Sequence, residues 1–264
     1  MNNNLRFELS FKNIFQLDNK LNFCKLNKIK NINIPCKGII KKEFFDQTIE
    51  HIQKNYREFN VFYHYSLQHQ YDKNIENSYK RFLYFINKCN SHKNSEILLV
   101  SGTNKKKNFD VIRVLNLLKK ENLNVKLGVA YNPYLNKYSN TLSERERYGK
   151  KVSSGLVKSI WLQFGTDIEL LEKEVSYLKK RYKHEKVIFF GSIFIPSKQF
   201  IARFKFRPWK AVFISEEYLY SLENFYGFTK DLINFYIVNE ITPVIETDFC
   251  SAEKLETIES LFNI

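Results

Sequence analysis

The chain has 264 residues, 44% of them hydrophobic, enough to bury a sizeable core in one large α/β domain or two small ones. Its 42 Lys and Arg against 28 Asp and Glu give a formal charge of +14, an excess that favours anionic partners. The basic residues are scattered, with short clusters only at Lys105–Lys107 and Lys179–Lys183, which argues against a nucleic-acid partner and leaves a basic nucleic-acid-associated protein as a rival of last resort.

The start, Met1-Asn-Asn-Asn-Leu-Arg6, lacks the apolar centre of a signal peptide. No apolar run approaches the ~20 residues that span a bilayer. A soluble, cytoplasmic protein with no membrane partner is the expectation. From there, strand-like and helix-like segments alternate. Strands are expected at Leu5–Ser10, Ile29–Pro35, Val61–Ser66, Glu96–Ser101, Val125–Tyr131, Ser159–Phe164, Lys186–Phe194 and Ile241–Thr247. Helices are expected at Lys41–Tyr56, Ile75–Cys89, Asn108–Glu121, Ser143–Ser154, Asp167–Tyr182 and Ser251–Phe262, and Ser197–Val238 reads as two or three shorter ones. The clearest unit is Ser159–Phe164 running into the helix that follows, where Ile168, Leu171, Val175 and Leu178 recur at helical spacing. Thr166 or Asp167 can cap that helix, since a short side-chain oxygen accepts from its free N–H groups.

Ile97-Leu-Leu-Val100 and Val187-Ile-Phe-Phe190 are continuous apolar runs, the pattern of strands buried on both faces of a parallel sheet. Such strands with interleaved helices, in a chain of about 250 residues, match a (β/α)8 TIM barrel of the α/β class. A doubly wound open sheet is the rival. No Pro/Gly/Ser-rich linker divides the chain, so a single domain over residues 1–264 is expected.

Several common chemistries lack their motif. No G-x-G occurs, which removes the Rossmann fingerprint, and no Walker A loop is present. His184-Glu185 is not followed by the second histidine of HExxH, and there is no G-x-S-x-G elbow. Cys24, Cys36, Cys89 and Cys250 show no CxxC pairing, so neither a metal site nor a disulfide scaffold is expected.

In a barrel the carboxyl ends of the strands carry the chemistry. Here they offer Glu8 and Ser10, His64 and Ser66, Ser101-Gly102-Thr103, Tyr131-Asn132, Gln163, Gly191-Ser192 and Glu246. A glutamate, a histidine and a glutamine of this kind could orient and protonate a heterocyclic ligand.

These segments, in order, resemble methylenetetrahydrofolate reductase. The family's "FEFFP" strand is similar to Phe7-Glu8-Leu9-Ser10, "PHLTC" to Tyr63-His64-Tyr65-Ser66, and "AYPE" to Ala130-Tyr131-Asn132-Pro133. "TQFFFD" is similar to Leu162-Gln163-Phe164-Gly165-Thr166-Asp167, and the preceding Lys-Val-x-x-Gly to Lys151-Val152-Ser153-Ser154-Gly155. "PGI-P" is matched loosely by Phe190-Gly191-Ser192-Ile193. The resemblance implies a (β/α)8 enzyme that reduces 5,10-methylene- to 5-methyltetrahydrofolate with hydride from NAD(P)H. It implies Glu8 as the catalytic acid, Gln163 on the pterin and Phe204 against the folate. His64, Tyr131 and Lys151 stand at flavin-contacting positions, and Gly102 and Thr103 complete the cofactor set. The family's "RGD" reads Ser101-Gly102-Thr103 here, and the glutamate and histidine after the tyrosine are missing. The implied cofactor is therefore NAD(P)H, with or without tightly bound FAD. A folate- or flavin-binding barrel without reductase turnover is the alternative.

Overall fold

Each expected strand forms, and in the expected order. The computed structural model describes residues 5–36, 42–91, 94–101, 109–121, 125–135, 143–209 and 211–263. The strands are β1 (Arg6–Glu8), β2 (Asn31–Ile34), β3 (Asn60–Ser66), β4 (Ser95–Val100), β5 (Leu127–Tyr131), β6 (Val157–Leu162), β7 (Ile188–Ile193) and β8 (Ile241–Ile245). Between them run α1 (Ile14–Leu26), α2 (Lys42–Asn55), α3 (Ile75–Asn90), α4 (Val111–Leu118), α5 (Glu144–Val152) and α6 (Ile168–Arg181). After β7 come α7 (Lys198–Phe206), α8 (Glu216–Tyr220) and α9 (Leu222–Val238), and α10 (Ala252–Phe262) follows β8. The strands order from β1 to β8 as a closed barrel, and the described pairings are parallel. This is a (β/α)8 TIM barrel, and its closure removes the open-sheet rival.

Helix starts follow from local chemistry. Asn74, Asp110, Asp167, Ser197 and Ser251 each accept from a backbone N–H three residues on, satisfying a donor that the first turn leaves unpaired. Asp167, not Thr166, caps α6; Thr166 Oγ1 instead accepts from Ser215 N at 2.9 Å. No helix among the described residues is long and apolar enough to cross a membrane.

The chain forms two compact units, Arg6–Val129 with Gly149–Val157, and Ala130–Tyr148 with Lys158–Ile264. In the first, alternate residues of β3 separate by face. Tyr63 and Tyr65 pack on Phe85 of α3, and Tyr65 also meets Phe82. Phe62 and His64 therefore point away from the helices. The second unit divides in the same way. A Cβ on Gly191 would meet the Tyr236 ring of α9 at 2.3 Å, so β7 lies against that helix through a glycine. Phe190 and Ser192 consequently occupy the opposite face of β7. Because Tyr236 is 1% exposed and donates to Ser192 O at 3.3 Å, it has little room to retreat. Gly191→Ala is expected to cost about 1–3 kcal/mol, the usual range for overpacking a filled core. A thermal melt would record this as a fall in Tm of several degrees, and an unchanged Tm would contradict the packing.

Candidate functional site

In the first unit a polar column starts at β1. Arg6 and Glu8 are two residues apart and share the face away from the helices. The Arg6 guanidinium donates to Asn33 Oδ1 at 2.9 Å, to Ile32 O at 2.7 Å and to Asn60 O at 2.9 Å, and lies 4.5 Å from the Phe62 ring centroid. Burial pulls its pKa down, while Glu96 pulls it back up. The three acceptors and the aromatic face hold the cation where water does not. One step nearer the carboxyl end lies Glu8, 7% exposed and in register with Asn33. His64 Nδ1 is 3.7 Å from Glu8 Oε2. Thus β1 and β3 bring together two of the residues that the sequence nominated, as a buried carboxyl beside an imidazole. That pair can hold or move a proton.

In the second unit the polar residues stand over aromatic ones. Trp161 stacks on Phe190 with ring centroids 4.3 Å apart and planes 20° apart, and its indole N–H donates to Ser159 Oγ at 3.1 Å. Two residues further along the same strands, on the same face, come Gln163 and Ser192. Gln163 N donates to Tyr131 O at 2.9 Å, which fixes the strand end that carries the amide. Ser192 Oγ donates to Glu246 Oε1, just past β8. An amide and a serine-held carboxylate thus sit at the carboxyl ends of β6 to β8, one layer above a flat aromatic floor.

Tyr131 is placed differently. Its hydroxyl donates to Glu174 Oε2 of α6, and its ring packs edge-on against Tyr148 of α5. Arg145 grips the same carboxylate through Nε at 3.0 Å and Nη2 at 2.9 Å. Burial and the adjacent Glu174 carboxylate raise the Tyr131 phenol far above its ordinary range, so it remains a neutral donor in that network. Glu174→Ala would strand the phenol and Arg145, and a loss of about 3–5 kcal/mol in denaturant unfolding is expected. A loss under about 1 kcal/mol would mean that the network contributes little.

Lys151 is 4% exposed on α5, in the first unit. Phe204, 4% exposed, packs against Phe200 and Trp209 with centroids 6.2 and 6.0 Å away. Gly102 and Thr103 lie outside the described residues. No step below runs through FAD. Among the described residues no group of three or more His, Cys, Asp or Glu could hold a metal ion.

Arg6, Asn33 and the Trp161–Phe190 stack were not nominated from the sequence. Arg6 had one signal, a charge two positions before Glu8 in an otherwise apolar strand. A cavity of about 400 Å³ does occur in the second unit, lined by Lys179, Tyr182, Lys183, Lys186 and Glu240 among others. It lies at the amino ends of β7 and β8, the face that barrels use for stability and not for chemistry. The strand carboxyl ends therefore carry the candidate site despite that cavity.

No protein-family model matches the chain, and no curated protein matches it. Solved structures do. An uncharacterized protein from Clostridium thermocellum, described as binding two copies of 5-methyl-5,6,7,8-tetrahydrofolic acid, aligns over 98% of this chain and 92% of its own, with a TM-score of 0.64 and 12% identity. Active domain 2 of the thermostable chitinase from Pyrococcus furiosus, complexed with chito-oligosaccharides, aligns over 92% and 83%, with a TM-score of 0.54 and 11% identity. At such identities the likeness is one of fold: this chain is built as a (β/α)8 barrel similar to both.

Proposed function

We propose that the chain binds a reduced folate and reduces 5,10-methylenetetrahydrofolate to 5-methyltetrahydrofolate with hydride from NAD(P)H. The observation that carries this reading is the buried Glu8 beside the partly buried His64, towards the carboxyl ends of β1 and β3. The reaction needs an acid there. Opening the methylene ring to an iminium requires a proton on the departing nitrogen, and the nicotinamide hydride then adds to the iminium carbon, leaving a methyl group and an oxidised nicotinamide. Glu8 is the proton donor in this scheme. Gln163, with both a donor and an acceptor, is the anchor for the pterin edge. The barrel likeness to a protein described as binding 5-methyltetrahydrofolate supports the choice of ligand.

Purified protein is assayed for NAD(P)H oxidation that depends on methylenetetrahydrofolate. Turnover supports the reading. The same likeness favours a second one, a barrel that binds folate without turnover, because binding is what is described of that neighbour. Saturable folate binding with no NAD(P)H oxidation selects it.

A further inference from the structure

We infer that the cavity at the amino ends of β7 and β8 is a binding site for a phosphate monoester carried on a flat ring, a ligand of the nucleoside monophosphate class. This site is separate from the folate reading and performs no chemistry. Its origin in the sequence is the Lys179–Lys183 cluster, which the strand-end site does not use. Lys179, on α6, and Lys183, which opens the 3₁₀ turn Lys183–Glu185, are four residues apart, and Lys186 follows three later. Spacings of three and four bring residues to one side of a helical segment. All three lysines line the cavity, together with Tyr182.

Like charges at these spacings repel, so their convergence on one rim calls for an anion. The end of α6 favours cations in its last turn, which accounts for Lys179 but not for Lys183 and Lys186 beyond it. Lys179 is held in place: its Nζ donates to Asn239 O and lies 6.0 Å from the Phe189 ring centroid. Neither Lys183 nor Lys186 has an ion pair among the described residues. Among the described lining residues Glu240 is the one carboxylate, so the rim keeps an excess of two positive charges. A phosphate monoester carries a charge of about −1.5 to −2 at pH 7 and matches that excess, whereas a lone carboxylate meets half of it. The volume of about 400 Å³ suits a small molecule. Buried Ile160 and Leu178 give the cavity an apolar base, and the half-buried rings of Tyr182 and Phe189 offer aromatic walls to a flat ring.

Adenosine monophosphate, phenyl phosphate, adenosine and inorganic phosphate are titrated calorimetrically into the full-length chain. The wild type is expected to bind one equivalent of adenosine monophosphate or of phenyl phosphate. Adenosine and inorganic phosphate should each bind at least about 10-fold more weakly, since each lacks one half of the match. The double variant Lys183→Ser/Lys186→Asn should lose at least about 10-fold, as bonds to a charged group predict. Asparagine suits position 186 because Lys186 has a φ of 46°, a left-handed conformation that asparagine tolerates. Both lysines are exposed, and a melt confirms that the variant folds. Lys119→Ser/Lys120→Ser removes the same charge just past α4 and should lose at most about 2-fold. Glu240→Gln, which removes the opposing carboxylate, should bind about 2- to 5-fold more tightly. Equal losses in the two double variants would assign the binding to the diffuse field of a basic chain and overturn the inference. Binding unaltered by Lys183→Ser/Lys186→Asn would place the ligand elsewhere and overturn it as well. So would inorganic phosphate bound as tightly as phenyl phosphate, or no binding of either ring-bearing phosphate to the folded wild type.

Discussion

Replacing Glu8 by glutamine is expected to lower kcat for methylenetetrahydrofolate reduction by about 10²- to 10⁴-fold, the range supplied by a positioned general acid. Glutamine keeps the size and the polarity of the side chain but has no proton to deliver to the departing nitrogen. Since the proposed pterin anchor, Gln163, lies on another strand, folate affinity should change by only about 2- to 3-fold. Steady-state NAD(P)H oxidation together with a binding titration gives both numbers. The split between them is informative. If Glu8 served only to hold His64, 3.7 Å away, Glu8→Gln would alter stability and leave turnover intact. An undiminished rate contradicts the mechanism.

The second large effect falls on stability. Arg6→Ala is expected to destabilise the protein by about 3–5 kcal/mol, from the cavity left by a large buried side chain together with three acceptors that lose their donor. Asn33 Oδ1, Ile32 O and Asn60 O would each lose the guanidinium donor, and the face of Phe62 would lose its cation. Against a typical total of about 5–15 kcal/mol, such a loss populates the unfolded state measurably. Arg6→Met refills the volume without the charge and should recover part of it, though not the hydrogen bonds. Equilibrium unfolding in urea measures both variants. A midpoint for Arg6→Ala within error of the wild type would mean that the buried column under Glu8 is not what holds β1 to β2 and β3.

Strands and helices were legible because their residues alternate between two kinds of apolar pattern. Runs such as Ile97–Val100 are short and continuous, while α6 places Leu171, Val175 and Leu178 on one buried stripe. The helix α1 was not expected, and the reason is visible in its packing. Leu17, Leu21 and Cys24 are buried, yet Phe15 is 74% and Leu26 83% exposed, so apolar residues encircle the helix and no stripe stands out. Its cap, Asn13 accepting from Gln16 N, was the remaining cue. The long α9 was read as part of two or three shorter helices, because Gly227 interrupts an otherwise apolar sequence and an interior glycine normally weakens a helix.

Strand ends were legible as places and less so as orientations. Glu8, His64, Gln163, Ser192 and Glu246 were all recognisable as polar groups at carboxyl ends. The bond between Ser192 and Glu246 was not, because it depends on register across two strands. Tyr131 shows the same limit. In a parallel barrel both faces of a strand are covered, so alternation separates two faces without saying which one meets the helices. The Tyr131 ring, nominated as a cofactor contact, packs edge-on against Tyr148, and its hydroxyl donates to Glu174. Phe204 was indistinguishable in sequence from the aromatic neighbours it packs against, Phe200 and Trp209.

The central claim, that this barrel binds a reduced folate, is tested most directly by calorimetric titration of the purified chain with 5-methyltetrahydrofolate. Saturable binding that weakens on Gln163→Ala, with the variant still folded, is the predicted result. Absence of any binding heat up to millimolar ligand, from a protein whose melt shows it to be folded, would contradict the claim.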